Sequence, residues 1–420
     1  MIDKFNLGNG LTVIGHRMPS LSSVAIGIWI GVGSRYETKR TNGISHFLEH
    51  LLFKGTKKRG CEQLKQAIEG VGGSFNGFTS EEATCYLVKV VNKYARIGFD
   101  ILSDMVRNPL LKEEDVEKER KVIGQEIKMY EDLPSHYVHE IFDELLWPDH
   151  PLGRNIAGTL RSISAIKRKN LFDYWERYYQ AKNIVLAVVG NFKEEKMREL
   201  AEHYLGKVGK GEHQKFLPAK KEKKSPGIKL IFKETEQAHL CLGGRGFPRN
   251  HPDRYGSILL ATILGGNMSS RLFREVREKR SLAYEIRAGS QEYYDTGAFV
   301  VSAGVAPGKT KEALRVILKE LKRVKESKVT EGEMKRAKEF LIGQLLLSLE
   351  DSSTYMLWLG GQQLSEGRIK SLQEVKFKIN RVNREDLKRI AQTLFRGNNL
   401  NLALIGPLKN EEELSSLLKI

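Results

Sequence analysis

Hydrophobic and polar positions divide the chain into short periodic segments. Asn9-Gly10, the turn chemistry of a tight hairpin, separates two β-like runs at 3–7 and 11–17. Residues 23–32 are rich in Val and Ile and predict a strand. Apolar residues in 43–53 recur at helical spacing, with Gly55 as a stop. A second helix is predicted over 61–71, and Gly72-Gly73 then turns the chain into two strand-like runs, 74–78 and 83–91. Helical patterning returns over 93–107, and 113–131 reads as a long, charged, amphipathic helix.

The second half repeats this order. Residues 238–246 are strand-like, 256–264 helical, and 298–306 a strand leading into a helix over 310–325, followed by a charged helix from about 331. Segment 43–53 overlays 256–266 at an offset of 213, and 115–123 overlays 333–341 at 218. A period near 215 predicts a duplicated domain. The expected fold class is α+β: two similar domains, each a mostly antiparallel sheet with helices on one face. The expected domains are 1–210 and 227–420, joined by a Lys/Gly/Pro-rich linker at 211–226.

Composition narrows the class. The 420 residues are 40% hydrophobic and 29% charged with 11 prolines, which excludes disordered and collagen-like chains. No window approaches the roughly 20 apolar residues of a membrane span, and the first residues carry no signal-peptide pattern, so the expected location is the cytoplasm. Cys61, Cys85 and Cys241 form no CxxC pair, in keeping with a reducing compartment. The net charge of +17 raises the question of a polyanion. Lys and Arg are nevertheless dispersed among acidic residues, densest at 207–224, and no nucleic-acid motif accompanies them, so neither nucleic acid nor membrane is an expected partner.

Chemistry concentrates in His46-Phe47-Leu48-Glu49-His50. On a helix a step of four residues turns about 400°, which brings His46 and His50 to one face with Glu49 beside them. Two imidazoles and a carboxylate on one face offer two nitrogen ligands for a catalytic Zn²⁺ and a proton acceptor, the inverted H-x-x-E-H order. Composition alone gives about 0.02 such matches per chain, so a second feature must decide between a metal site and two surface histidines.

With this motif the chain resembles the pitrilysin/insulinase family of zinc peptidases, in its mitochondrial-processing-peptidase-like bacterial branch. The resemblance implies a third ligand on another helix, about 75 residues on. Glu126 stands at that spacing from His50, and Glu119, two helical turns before it, shares its face. It implies zinc held by His46, His50 and Glu126 with a fourth position left for water, Glu49 as general base and Glu119 as a catalytic support behind the ligands. The segment Gly72-Gly-Ser-Phe-Asn-Gly-Phe-Thr79 matches the family's active-site edge strand, implying substrate-binding roles for Asn76 and Thr79, with Gly77 where Ala is usual. Arg277 and Tyr284 match an Arg/Tyr pair that holds substrate and stabilises the tetrahedral intermediate.

The repeat is an internal control. His46, Glu49 and His50 fall opposite Leu259, Thr262 and Ile263, and Glu126 opposite Gln344, so one zinc per chain is expected. His136 and His139 share a face but lack an acidic partner of the right kind, and Gly265-Gly266-Asn267 lacks any phosphate-binding pattern. The resemblance implies a zinc endopeptidase acting on unfolded peptides or short protein segments within a dimeric clam-shell. In that homodimer Arg277 and Tyr284 would complete the partner's site in trans. Two rivals are a non-catalytic peptide-binding or scaffold subunit of the same family, marked by lost ligands, and a basic polyanion- or membrane-surface-binding protein, marked by steep salt dependence.

Overall fold

Leu7 and Leu11 close the first turn through a backbone hydrogen bond of 2.9 Å, with Gly10 at φ +91°, a left-handed position that glycine takes without strain. The hairpin joins β1 (Ile2–Asn6) and β2 (Thr12–Arg17). This computed structural model describes residues 2–219 and 227–418, so the expected linker lies outside the described residues from 220 to 226.

The first sheet also contains β3 (Ser23–Ile30), β4 (Ser74–Thr79), β5 (Thr84–Val91) and β6 (Ile184–Gly190), in the order β1-β2-β6-β3-β5-β4. The second comprises β7 (Ile228–Phe232), β8 (Ala238–Gly246), β9 (Ala283–Glu292), β10 (Gly297–Val305) and β11 (Asn401–Gly406), ordered β7-β11-β8-β10-β9. Each sheet is antiparallel except for one parallel pair, β2–β6 in the first and β11–β7 in the second. Strands β2, β3 and β6 begin at residues 12, 23 and 184, and β7, β8 and β11 begin at 228, 238 and 401. The sequence repeat is therefore built into the strand order, and the α+β class with two similar sheets is as expected. Strands β6, β7, β9 and β11 are additions to the sequence reading.

Helices of the first half are α1 (Ile44–Leu52), α2 (Cys61–Glu69), α3 (Ala95–Arg107), α4 (Glu113–Glu131), α5 (Pro134–Leu146), α6 (Leu160–Ala165), α7 (Arg168–Tyr178) and α8 (Glu194–Leu205). The second half has α9 (Arg254–Gly265), α10 (Thr310–Glu326), α11 (Glu331–Ser348) and α12 (Ser352–Glu366), with shorter helices beyond.

Two compact units result, and neither is continuous in sequence. The first is Met1–Ile127, Arg154–Leu217 and Leu346–Ile369; the second is Lys128–Gly153, Pro218–Leu345 and Lys370–Ile420. Boundaries at 210 and 227 divide the sheets but not the units. In the first unit β3 is buried along its length: Val24, Ile26, Ile28 and Ile30 join the core cluster, while α12 packs on β3 and β6. That helix is received through small residues. A Cβ added to Gly27 would lie 2.2 Å from Met356 Sδ, and one added to Gly360 would lie 2.2 Å from Trp29 Nε1. In the second unit α5 packs on β8 and β11, burying Phe142 and Trp147 against Cys241, Ala403 and Ile405. Arg245 secures its end by donating two hydrogen bonds to Leu146 O, at 2.9 and 2.7 Å. Helices α5 and α12 begin at Pro134 and Ser352, the same offset that relates 115–123 to 333–341, so they occupy matching places in the repeat. Each covers the sheet of the other half.

Candidate metal centre

Helix α1 carries its apolar side chains Phe47, Leu48, Leu51 and Leu52 into the core, which turns His46, Glu49 and His50 toward α4 and β4. On α4, Val116, Ile123 and Ile127 are buried. This seats Glu119 and Glu126, two helical turns apart, against the same face of α1. His46 Nε2 lies 3.8 Å and His50 Nε2 3.6 Å from Glu126 Oε2. The three residues offer ligand atoms that all lie within 4.8 Å of one another, the one such group of three His, Cys, Asp or Glu among the described residues.

These separations fit a metal better than direct contacts. Both exceed a good hydrogen bond. Two donors bound to a tetrahedral zinc at about 2.1 Å stand roughly 3.4 Å apart, so each His–Glu126 separation needs only a small contraction to fit around an ion. The donor chemistry, two imidazole nitrogens and one carboxylate oxygen, is that of a catalytic zinc site with an open position. His50 Nδ1 lies 3.0 Å from Glu119 Oε2, which assigns the ring proton to Nδ1 and leaves Nε2 facing Glu126. Lys54 Nζ holds the other oxygen of Glu119 at 2.6 Å. Sequence reasoning did not single out Lys54; its position four residues after His50 on the α1 side is the signal it left. His46 Nδ1 is buried without a hydrogen-bond partner among the described residues, so packing orients that ring.

Electrostatics separates the roles of these groups. Burial, helped by the neighbouring His50, pushes the His46 imidazole down to about 4, so it stands neutral at pH 7. Burial disfavours charge on His50 as well, but the hydrogen bond to Glu119 and the charges of Glu49 and Glu126 outweigh it and raise its pKa above the usual value. Burial raises Glu119 too, and His50 and Lys54 overcome this to hold it below the usual carboxylate range. Glu49 is raised by burial, against a hydrogen bond from Thr79 that favours its charged form.

The remaining expected residues fall in two places. Strand β4 ends the first sheet, paired with β5 alone, and Gly77 lies so close to α1 that an added Cβ would sit 3.0 Å from Phe53 and 3.3 Å from Glu49 Cγ. Asn76 is exposed, and its Oδ1 accepts the Gly77 N–H at 2.8 Å. Thr79 points inward and donates to Glu49 Oε2 at 2.7 Å. Arg277 and Tyr284 belong to the second unit. There the guanidinium lies 4.7 Å from the Phe273 ring and 5.1 Å from the Tyr284 ring, at a cleft of about 520 Å³ beside the edge strand β9. Arg277 sits on a π-helical turn, Phe273–Glu278. No helix among the described residues is long and apolar enough to cross a membrane.

Residues 12–160 match the family described as Insulinase (Peptidase family M16), and residues 165–341 match the Peptidase M16 inactive domain. The chain is 36% identical over 415 residues to an uncharacterized zinc protease of Bacillus subtilis, YmxG, covering 98% of this chain and 99% of that protein. It is also 36% identical over 417 residues to an uncharacterized zinc protease of Streptomyces coelicolor, covering 98% of this chain and 91% of that one. In fold it is similar to a protease from Helicobacter pylori, with TM-score 0.91 and 24% identity over 97% of this chain and 99% of the other.

Proposed function

This chain belongs to the insulinase family of M16 peptidases, and on that footing we propose that it is a zinc-dependent endopeptidase acting on unfolded peptides or short protein segments. The observation that carries this reading is the convergence of ligand atoms from His46, His50 and Glu126 within 4.8 Å, with Glu49 buried beside them. When bound, zinc lowers the pKa of water to about 7 and polarises a carbonyl oxygen. The protein's own residues do the rest. Glu49 takes the proton of the attacking water and delivers it to the leaving amine, a task suited to a carboxylate whose burial has raised its pKa. Glu119 holds His50 by Nδ1, so that Nε2 stays turned to the metal. The open edge of β4 pairs with an extended peptide, and Asn76 contacts it near the bond to be cut.

The second unit supplies no metal ligand at the repeated positions Leu259, Thr262, Ile263 and Gln344, in keeping with one zinc per chain. Its contribution is Arg277 and Tyr284, whose N–H and O–H groups hold the substrate and stabilise the developing oxyanion. In a homodimer these act on the partner's site, so mixing a His50→Ala chain with a Tyr284→Phe chain restores part of the activity. No recovery in the mixed dimer counts against assembly in trans.

The direct test of the reaction is Glu49→Gln. It should retain zinc and lose about 10²–10⁴-fold in kcat on a peptide substrate. Wild-type cleavage by this variant would remove Glu49 from the role of base.

A further inference from the structure

Helix α1 begins without a cap of its own. Its N-cap is Gly43, at φ +94°, which has no side chain to accept the free N–H groups of the first turn. Those groups are taken by a residue outside the helix. Glu37, only 4% exposed, accepts the Gly43 N–H on Oε2 at 2.7 Å and the Ser45 N–H on Oε1 at 2.9 Å. Asn42 Nδ2 donates a third hydrogen bond, at 3.1 Å, and also reaches Asn155 O at 3.0 Å. A carboxylate at this end meets the positive pole of the helix.

The start of α1 has little room to move. A Cβ on Gly43 would lie 2.5 Å from Ala157 O, and one on Gly158, at φ +83°, would lie 2.5 Å from Asn42 O. Two left-handed glycines thus bring the backbones of two segments into direct contact. Ser45 Oγ shares a 2.8 Å hydrogen bond with Tyr174 OH on α7 beneath the helix. Both N–H groups captured by Glu37 precede His46 by three residues or fewer, so the position of this carboxylate fixes the height and rotation at which the histidines emerge.

Resting on the metal-centre reading above, we infer that Glu37 is a positioning residue for catalysis: its buried carboxylate serves as the missing cap of α1 and sets the register in which His46, Glu49 and His50 face Glu126. Among the described residues its carboxyl oxygens hydrogen-bond to Asn42, Gly43 and Ser45, and to no metal ligand or residue of β4. Its loss therefore weakens zinc binding and the chemical step while leaving peptide binding in place.

The test uses the full chain, with zinc affinity measured by competition against a chromophoric chelator and with kcat, KM and Tm recorded in parallel. Glu37→Gln preserves volume but sets an amide N–H₂ against a backbone N–H, and Glu37→Ala removes the cap outright. Asn383→Ala is the comparison. It deletes a side-chain cap on the helix Arg384–Leu394, remote in sequence from α1, and reports the effect of lost stability alone. The expected result is zinc affinity reduced about 10–100-fold in the Glu37 variants, with kcat lowered and KM unchanged. Asn383→Ala should lose Tm without changing zinc affinity. The inference is overturned if Glu37→Gln binds zinc within twofold of wild type, or if Asn383→Ala weakens zinc as much at an equal loss of Tm. A wild-type chain that binds no zinc overturns the metal centre itself.

Discussion

His46 and His50 sit one helical turn apart, with ring centroids 4.6 Å from each other, yet they hold protons very differently. Burial keeps His46 neutral, whereas Glu119, Glu49 and Glu126 keep His50 protonated to a higher pH than a free imidazole. Zinc requires both rings neutral. Binding near pH 6.5 should therefore release protons, with His50 rather than His46 as the imidazole source, measurable as the dependence of calorimetric heat on buffer ionisation enthalpy. Release of no proton would show that His50 is already neutral in the free chain. Thr79 offers a second test. Its hydrogen bond favours ionised Glu49, so Thr79→Val should raise the pKa of the base and move the acid limb of kcat/KM to higher pH, while Thr79→Ser should not. An unmoved limb in Thr79→Val would detach this hydroxyl from the base. At this scale the sequence was legible where spacing is local. His46, Glu49 and His50 declare themselves by helical period, whereas Glu126 required a family resemblance because no local periodicity reaches from one helix to the other. The Thr79 hydrogen bond and the Glu37 cap are products of tertiary packing and left no pattern to read, and Lys54 left only its spacing from His50.

Among elements, α1 and α4 were readable because each is amphipathic, and β5 because it is rich in β-branched and aromatic residues. Strands β6 and β11 were not, because all their residues are buried and short apolar runs of this kind carry no period that separates strand from helix. Strand β9 escaped for the opposite reason: as an edge strand with exposed Tyr284, Glu285 and Arg287 it is too polar to signal. The placement of α12 was equally hidden, since it depends on gaps rather than on apolar side chains. Gly27 and Gly360 leave the space that Met356 and Trp29 fill. Gly360→Val should therefore destabilise the protein by about 3 kcal/mol, the upper end of overpacking costs, read as a fall in the denaturant midpoint. An unchanged midpoint would mean that the helix does not pack this closely.

For the whole molecule, duplication followed by exchange of α5 and α12 makes each compact unit dependent on both halves of the chain. A fragment of residues 1–218 lacks the helix that covers β3 and β6, and a fragment of 227–420 lacks the one that covers β8 and β11. Each alone should expose a bare apolar sheet face and fail to unfold cooperatively, whereas the two expressed together should recover a cooperative transition. Independent folding of either fragment would contradict the exchange. The repeat period foretold two matching sheets; it carried no information on which half covers which, because equivalent helices satisfy either sheet equally well in pattern. The two units share a scaffold and differ in chemistry, with a full set of metal donors in the first and none at the repeated positions of the second. Zinc content therefore tests the account most directly. Elemental analysis of the purified full chain should give about one zinc per wild-type chain and none for a His46→Ala/His50→Ala/Glu126→Ala chain that still unfolds cooperatively. A wild-type value near zero or near two, or a ratio unchanged by the triple substitution, would contradict it.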